Sequence, residues 1–107
     1  MNKRGAFESA DEGTVNLTGE MTFESVPMLY REMERRLPSA APVTTIDLAG
    51  VTAVDSAGLA LLLEWQSRQL RRGRELTMHN APENLRRLAE LCEAVDMLKL
   101  SGRPGAP

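Results

Sequence analysis

Three stretches of the chain alternate apolar and polar residues or are rich in β-branched side chains, a pattern typical of strands with a buried face. They are residues 13–19, 43–48 and 75–79. A turn before the first stretch predicts that residues 6–10 form the other arm of a hairpin. Gly19 is expected to end the first strand, and Ala49 and Gly50 are expected to form a turn after the second.

The sequence predicts three helices. Capping or breaking residues mark boundaries of the first and the last. The first is expected to follow Ser25 and to end at Pro38. Its apolar face would carry Val26, Leu29, Tyr30, Met33 and Leu37. The last is expected to begin at Asn80, which forms a capping box with Glu83. Cys92 falls on the apolar stripe of that helix, which predicts a buried thiol.

The central helix is expected to span residues 56–72 and to stop at Gly73. Helical spacing places one apolar set on its buried face: Leu59, Leu62, Leu63 and Leu70, with Gln66 among them. Leu61 and Trp65 are expected to point away from that face, beside arginines. Such a pair resembles the anchors of an interface, which favours a partner surface. The alternative is that the first helix or a second copy covers them.

The elements follow one another as hairpin, helix, strand, helix, strand and helix. This order predicts an α/β fold, a small mixed sheet with helices packed against it and right-handed crossovers between parallel strands. One domain is expected over residues 1–107, with a core from about 6 to 100 and a flexible tail at 101–107.

Composition narrows the classes of function. The 107 residues are 42% hydrophobic and 26% charged, with a net charge of −2 and one cysteine. No signal peptide and no membrane-spanning stretch is recognisable, so a cytoplasmic protein is expected. A cluster of arginines complements the end of the central helix: Arg68, Arg71, Arg72 and Arg74. Without interleaved aromatic residues, these arginines do not predict a nucleic-acid surface.

Asp55 and Ser56 stand where the central helix begins. Both residue types favour helix capping, and a serine there is also placed to carry or bind an anion. A hydrolase triad would need Ser56, His79 and either Asp55 or Asp47, but the G-x-S-x-G elbow is missing. No phosphate-binding loop, dinucleotide fingerprint or metal-ligand cluster is visible. We therefore expect no catalytic site, no cofactor and no metal.

The run Val-Asp-Ser-Ala-Gly-Leu at residues 54–59 resembles the signature of the STAS domain family. Ile-Asp-Leu at residues 46–48 and Leu-Thr-Gly-Glu at residues 17–20 add to the resemblance, which covers roughly residues 14–100. The family includes anti-sigma factor antagonists and the cytoplasmic C-terminal domains of sulfate transporters. The resemblance implies a STAS-like (SpoIIAA-like) fold.

Within the family, the compact length and the run at residues 58–63 are most similar to the STAS subunit of the Mla phospholipid-transport ABC complex of Gram-negative bacteria. That likeness implies a non-enzymatic subunit, peripheral to the inner membrane, in a system that maintains outer-membrane lipid asymmetry. It would bind the ATPase subunit MlaF and, indirectly, the permease; a homodimer is also possible. The likeness implies that Ser56 lies at the ATPase interface. Together with the outward pair of the central helix and the neighbours of Ser56, this gives the expected contact residues: Asp55, Ser56, Ala57, Leu61 and Trp65.

The alternative implied by the family is an anti-sigma factor antagonist, in which the serine at the position of Ser56 is phosphorylated by a partner kinase. The chain departs from the antagonists at two places. It has Gly-Glu-Met-Thr at residues 19–22 where they usually have Gly-x-Leu-Asp, and Ala57 where a second serine is common.

Overall fold

Five strands and four helices make up the part of the chain that the computed structural model describes, residues 6–11, 13–36, 43–98 and 100–101. The strands are β1 (Ala6–Asp11), β2 (Thr14–Met21), β3 (Thr45–Val54), β4 (Thr77–His79) and β5 (Leu100–Ser101). The helices are α1 (Val26–Arg36), α2 (Ser56–Arg71), α3 (Glu83–Leu91) and α4 (Val95–Leu98). Leu37, Pro38 and residues 102–107 of the predicted tail lie outside the described residues.

The strands form one mixed sheet in the order β1-β2-β3-β4-β5. β1 pairs antiparallel with β2, as the predicted hairpin requires, and the other neighbours are parallel. From β2 onward, each connection leads to the adjacent strand, and the sheet grows toward the same edge every time. Because crossovers between parallel strands are right-handed, the connecting helices all lie on one face of the sheet. Burial agrees, because alternate residues of β2, β3 and β4 are buried while their neighbours stay partly exposed. The predicted α/β fold is confirmed.

Two predicted strand ends were wrong. β2 continues past Gly19, which takes a positive φ of 83°, and β3 runs through Ala49 and Gly50 to Val54. The pairing of β2 with β3 absorbs these residues through two register shifts. A side chain at Gly50 would meet Thr18 Cγ2 at 2.8 Å, so close contact between strands accounts for this glycine.

The predicted start of the last helix and the predicted burial of its cysteine were also wrong. Pro82 occupies the N-cap position of α3 without a capping side chain, and Asn80 has a left-handed φ of 58°. The Asn80 amide donates to Asp47 Oδ1 at 3.1 Å, which ties this loop to β3. Cys92 is exposed because α3 ends one residue before it.

The bounds of α2 match the prediction within one residue, and Leu59, Leu62 and Gln66 are buried as expected, but the buried face extends further around the helix than predicted. Leu61 and Trp65, expected to point outward, are 5% and 0% exposed, whereas Leu70 is 49% exposed. The buried face also includes two glutamines, Gln66 and Gln69. The sequence pattern placed Gln66 on this face but did not indicate Gln69, whose side chain is polar. The structure therefore supports the alternative interpretation, in which Leu61 and Trp65 are covered, and it shows that the cover comes from the same chain.

The two buried glutamines bond to backbone. Gln66 donates from Nε2 to the Leu76 carbonyl at 2.6 Å and accepts from the Leu76 N–H at 2.8 Å. Gln69 donates to the Val43 carbonyl at 3.2 Å. A buried polar side chain is tolerated when it makes such bonds, so α2 uses these residues to fix the segments that enter β3 and β4.

Candidate partner-binding site

Asp55 joins the start of α2 to the loop between β2 and α1. It is the N-cap of α2, and its Oδ1 accepts from the N–H groups of Ala57 at 2.9 Å and Gly58 at 3.1 Å. Its Oδ2 accepts from the Phe23 N–H at 2.9 Å. One carboxylate thus satisfies two free N–H groups of the helix and holds a loop that lies 32 residues earlier in the chain.

Hydrogen bonding keeps this carboxylate ionised. Desolvation alone would raise the pKa of Asp55, but the N–H groups of Phe23, Gly58 and Ala57 outweigh it and hold the pKa below its ordinary value of 3.8. The capping role predicted for Asp55 is confirmed. Ser56 follows as the first residue of α2, and its side chain is exposed.

The first turn of α2 lies directly against the end of β2. A Cβ placed on Gly58 would come within 2.2 Å of the Met21 carbonyl oxygen, a distance that no side chain tolerates. The same oxygen accepts from the Asp55 N–H at 3.2 Å. This close packing fixes Ser56 relative to the loop that follows Met21.

Phe23 is the site residue that the sequence reasoning missed. It lies in that loop, and its side chain is 78% exposed. The buried Ser25 hydroxyl fixes the turn, accepting from the Thr22 N–H at 2.9 Å and donating to the Glu20 carbonyl at 2.7 Å. An aromatic residue in a turn was the available signal, but its position beside Asp55 depends on a contact far along the chain.

The structure brings four residues together at one end of α2, and we call them the Phe23–Ser56 surface: Phe23, Asp55, Ser56 and Ala57. Leu61 and Trp65 do not belong to it, because both are buried in the core. The surface combines an exposed aromatic ring, a hydroxyl and an ionised carboxylate on a backbone held by hydrogen bonds.

The hydrolase arrangement is excluded by the sheet. His79 pairs in register with Asp47, seven residues before Val54 at the end of β3. At a rise of about 3.3 Å per residue, this places His79 roughly 20 Å from the end of the strand that leads to Ser56. His79 therefore cannot take a proton from Ser56. Across the described ranges, no group of three or more potential ligands is placed to hold a metal ion.

Arg68 is engaged in contacts between α1 and α2. It pairs with Glu34 of α1, lies 3.7 Å from Glu64, and stacks 5.6 Å from the centre of the Tyr30 ring. This member of the arginine cluster stabilises the packing of two helices.

Among the described residues, no helix is long and apolar enough to cross a membrane.

The fold and the site match one family of protein modules. A family model described as "Mlab, STAS domain" matches residues 6–102. The chain therefore belongs to the STAS domain family, and within it to the group described for MlaB, as the sequence resemblance predicted. A comparison with curated proteins found no match.

Several solved structures share the fold. An anti-sigma factor antagonist from Mycobacterium paratuberculosis is 22% identical, with 90% of this chain and 82% of that chain covered and a TM-score of 0.71. A sulfate transporter family protein from Wolinella succinogenes is 14% identical, with 90% and 82% covered and a TM-score of 0.66. The phosphorylated form of the Bacillus cell fate determinant SpoIIAA is 18% identical, with 91% and 90% covered and a TM-score of 0.65.

Proposed function

We propose that this chain is the STAS subunit of an Mla-type phospholipid-transport ABC transporter. In this proposal it is a non-enzymatic protein on the cytoplasmic side of the inner membrane, where it binds the MlaF-like ATPase and, through it, the permease. The observation that carries the proposal is the match of residues 6–102 to the MlaB-type family model.

The Phe23–Ser56 surface is the contact that we assign to the ATPase. Aromatic residues supply a large share of binding energy at protein interfaces, and Phe23 presents nearly its whole side chain. The hydrogen bond to Asp55 holds the Phe23 backbone before a partner arrives, which lowers the ordering cost of association. Ser56 and Ala57 add two small residues at the start of α2 to the same surface.

Binding to the purified ATPase tests the assignment. We expect Phe23→Ala to weaken binding about tenfold or more, because truncation of an aromatic anchor costs over about 1.4 kcal/mol. Leu91→Ala is the matched control, since Leu91 is an exposed apolar residue at the end of α3. Failure of the ATPase to co-purify with the wild-type chain would refute the function. Equal binding by the Phe23 variant would refute the surface.

A second candidate is an anti-sigma factor antagonist switched by phosphorylation of Ser56. It is favoured by the exposure of this serine at the first position of α2, where a helix N-terminus stabilises a phosphate. The ionised Asp55 beside it acts in the opposite direction, because two negative groups repel. Intact-mass measurement of the protein from its native cells tests this candidate. A phosphorylated species, together with capture of a kinase-like anti-sigma factor, would support it over the transporter subunit.

A further inference from the structure

A groove of about 510 Å³ opens between the second half of α2 and the short helix α4. The residues that carry the argument are Leu63, Ser67, Leu70, Arg71, Asp96 and Met97. Leu70 and Met97 are 49% and 59% exposed. The groove therefore has an apolar centre that is open to solvent in the isolated chain.

Opposite charges stand on the two sides of this apolar centre. Arg71 lies on the α2 side and Asp96 on the α4 side. The Arg71 side chain is largely exposed, and its contact with Glu64, at 3.9 Å, is a surface pair of the kind that contributes little. Arg71 is thus available to a second carboxylate.

The charges on the two sides complement each other under a two-fold rotation. A two-fold axis that laid α4 of a second copy over α2, and α2 of that copy over α4, would bring Leu70 to Met97 and Arg71 to Asp96 of the other copy. Two-fold interfaces require a patch that complements itself in this way.

We propose that a second copy of this chain docks in the groove and forms a two-fold dimer. The dimer does not rest on the proposed transporter function. It leaves the Phe23–Ser56 surface free, because Ser56 and Leu70 are separated by about 20 Å along α2, at 1.5 Å per residue. Because the apolar patch is small, we expect association on the order of micromolar or weaker, as for small interfaces.

Sedimentation velocity of the full chain, from low micromolar to near-millimolar concentration, tests the proposal. We expect a dimer that forms as concentration rises. Leu70→Glu should raise its dissociation constant about tenfold or more, since a charge would enter the apolar centre. Arg71→Glu and Asp96→Arg should each weaken it, and the double variant should restore it, because each cross-copy pair forms again with its signs reversed.

Arg31→Glu is the matched control, because Arg31 is exposed on α1 and undergoes the same reversal of charge. It should leave the dissociation constant within about twofold of wild type. Three results would overturn the proposal: a monomer at every concentration, a dimer that Leu70→Glu leaves intact, or a double variant as weak as the single ones.

Discussion

At the residue scale, the Asp55 carboxylate holds the site together. Its two oxygens bond to N–H groups from α2 and from the β2–α1 loop. The bond from the Phe23 N–H to this carboxylate ties the loop to α2, so the position of Phe23 relative to Ser56 depends on it. Asp55 therefore links the stability of the fold to the geometry of the proposed partner surface, and the charge of the carboxylate can be tested separately from its shape.

Asp55→Asn should lower the free energy of unfolding by about 1 kcal/mol at neutral pH. The amide keeps an acceptor for α2 but turns an NH₂ group toward the Phe23 N–H, and two donors cannot bond. Since folding lowers the pKa of Asp55, its ionised form stabilises the fold above pH 3.8, and this contribution is lost as the pH falls through the folded-state pKa.

Urea unfolding at a series of pH values measures this difference. The stabilities of wild type and Asp55→Asn should converge in acid, where Asp55 becomes protonated. Glu24→Gln is a control, because Glu24 is exposed in the same loop. A constant gap between wild type and Asp55→Asn at every pH would contradict the assigned role of the charge.

The second prediction at the residue scale concerns the stability of the Gly58→Ala variant. Alanine has the higher helix propensity by about 1 kcal/mol, so Gly58→Ala would stabilise an open helix position. Here the added Cβ meets the Met21 carbonyl oxygen at 2.2 Å, and backbone cannot swing aside as a flexible side chain can. We expect a net loss of about 2 kcal/mol, since overpacking costs outweigh the gain in propensity.

The control for this prediction is Gly73→Ala. Gly73 has a positive φ of 74° with open space around its Cα, so alanine there carries only a conformational cost of about 1 kcal/mol. Chemical denaturation compares the two variants. A Gly58→Ala protein as stable as wild type would show that the first turn of α2 can move away from β2.

Local sequence was sufficient for part of the site only. Asp55 and Ser56 were predictable because capping depends on the two or three residues that follow. Phe23 was not, because nothing near it in the sequence indicates that its backbone bonds to Asp55. Contacts between distant segments decide which exposed side chains belong to one surface.

At the scale of the element, α2 shows where periodicity misleads. Capping by Asp55 and the positive φ of Gly73 set its ends, and both signals are local. Its buried face is wider than the apolar pattern indicates and includes Gln69, which is polar yet bonded to backbone inside the core. The pattern took this face to run toward Leu70 and therefore placed Trp65 outside it.

Trp65→Ala should destabilise the fold by about 3–5 kcal/mol, the usual cost of truncating a large buried side chain. Domains of this size are stable by only about 5–15 kcal/mol, so the loss would be severe. Leu70→Ala is the control in the same helix and should cost under about 1 kcal/mol, because Leu70 is half exposed.

Far-UV circular dichroism is the suitable probe, because the variant lacks the only tryptophan. If the Trp65→Ala protein had wild-type stability but bound the ATPase more weakly, Trp65 would belong to the partner surface and not to the core. Unfolding of the variant at low urea would confirm its place in the core.

At the scale of the whole molecule, topology was the most predictable feature. Alternation of strands and helices, together with right-handed crossovers, leaves few ways to order the sheet. The register shifts between β2 and β3 were not predictable, because they depend on how the two strands fit side by side. We expect the free energy of local opening to differ between elements, because β3 is paired with a strand on each side, whereas α4 has only four residues.

Amide hydrogen exchange should reveal this gradient. Ile46 is fully buried in β3 and is paired with both neighbouring strands, so its amide should exchange only through global unfolding, with a steep dependence on urea. α4 has a single turn, and Gln66 reaches it through a bond of 3.3 Å to the Leu98 carbonyl. Its amides should exchange about a hundredfold faster, through local openings that respond weakly to urea because they expose little surface. Equal protection and equal urea dependence in β3 and α4 would show instead that the molecule opens as one unit.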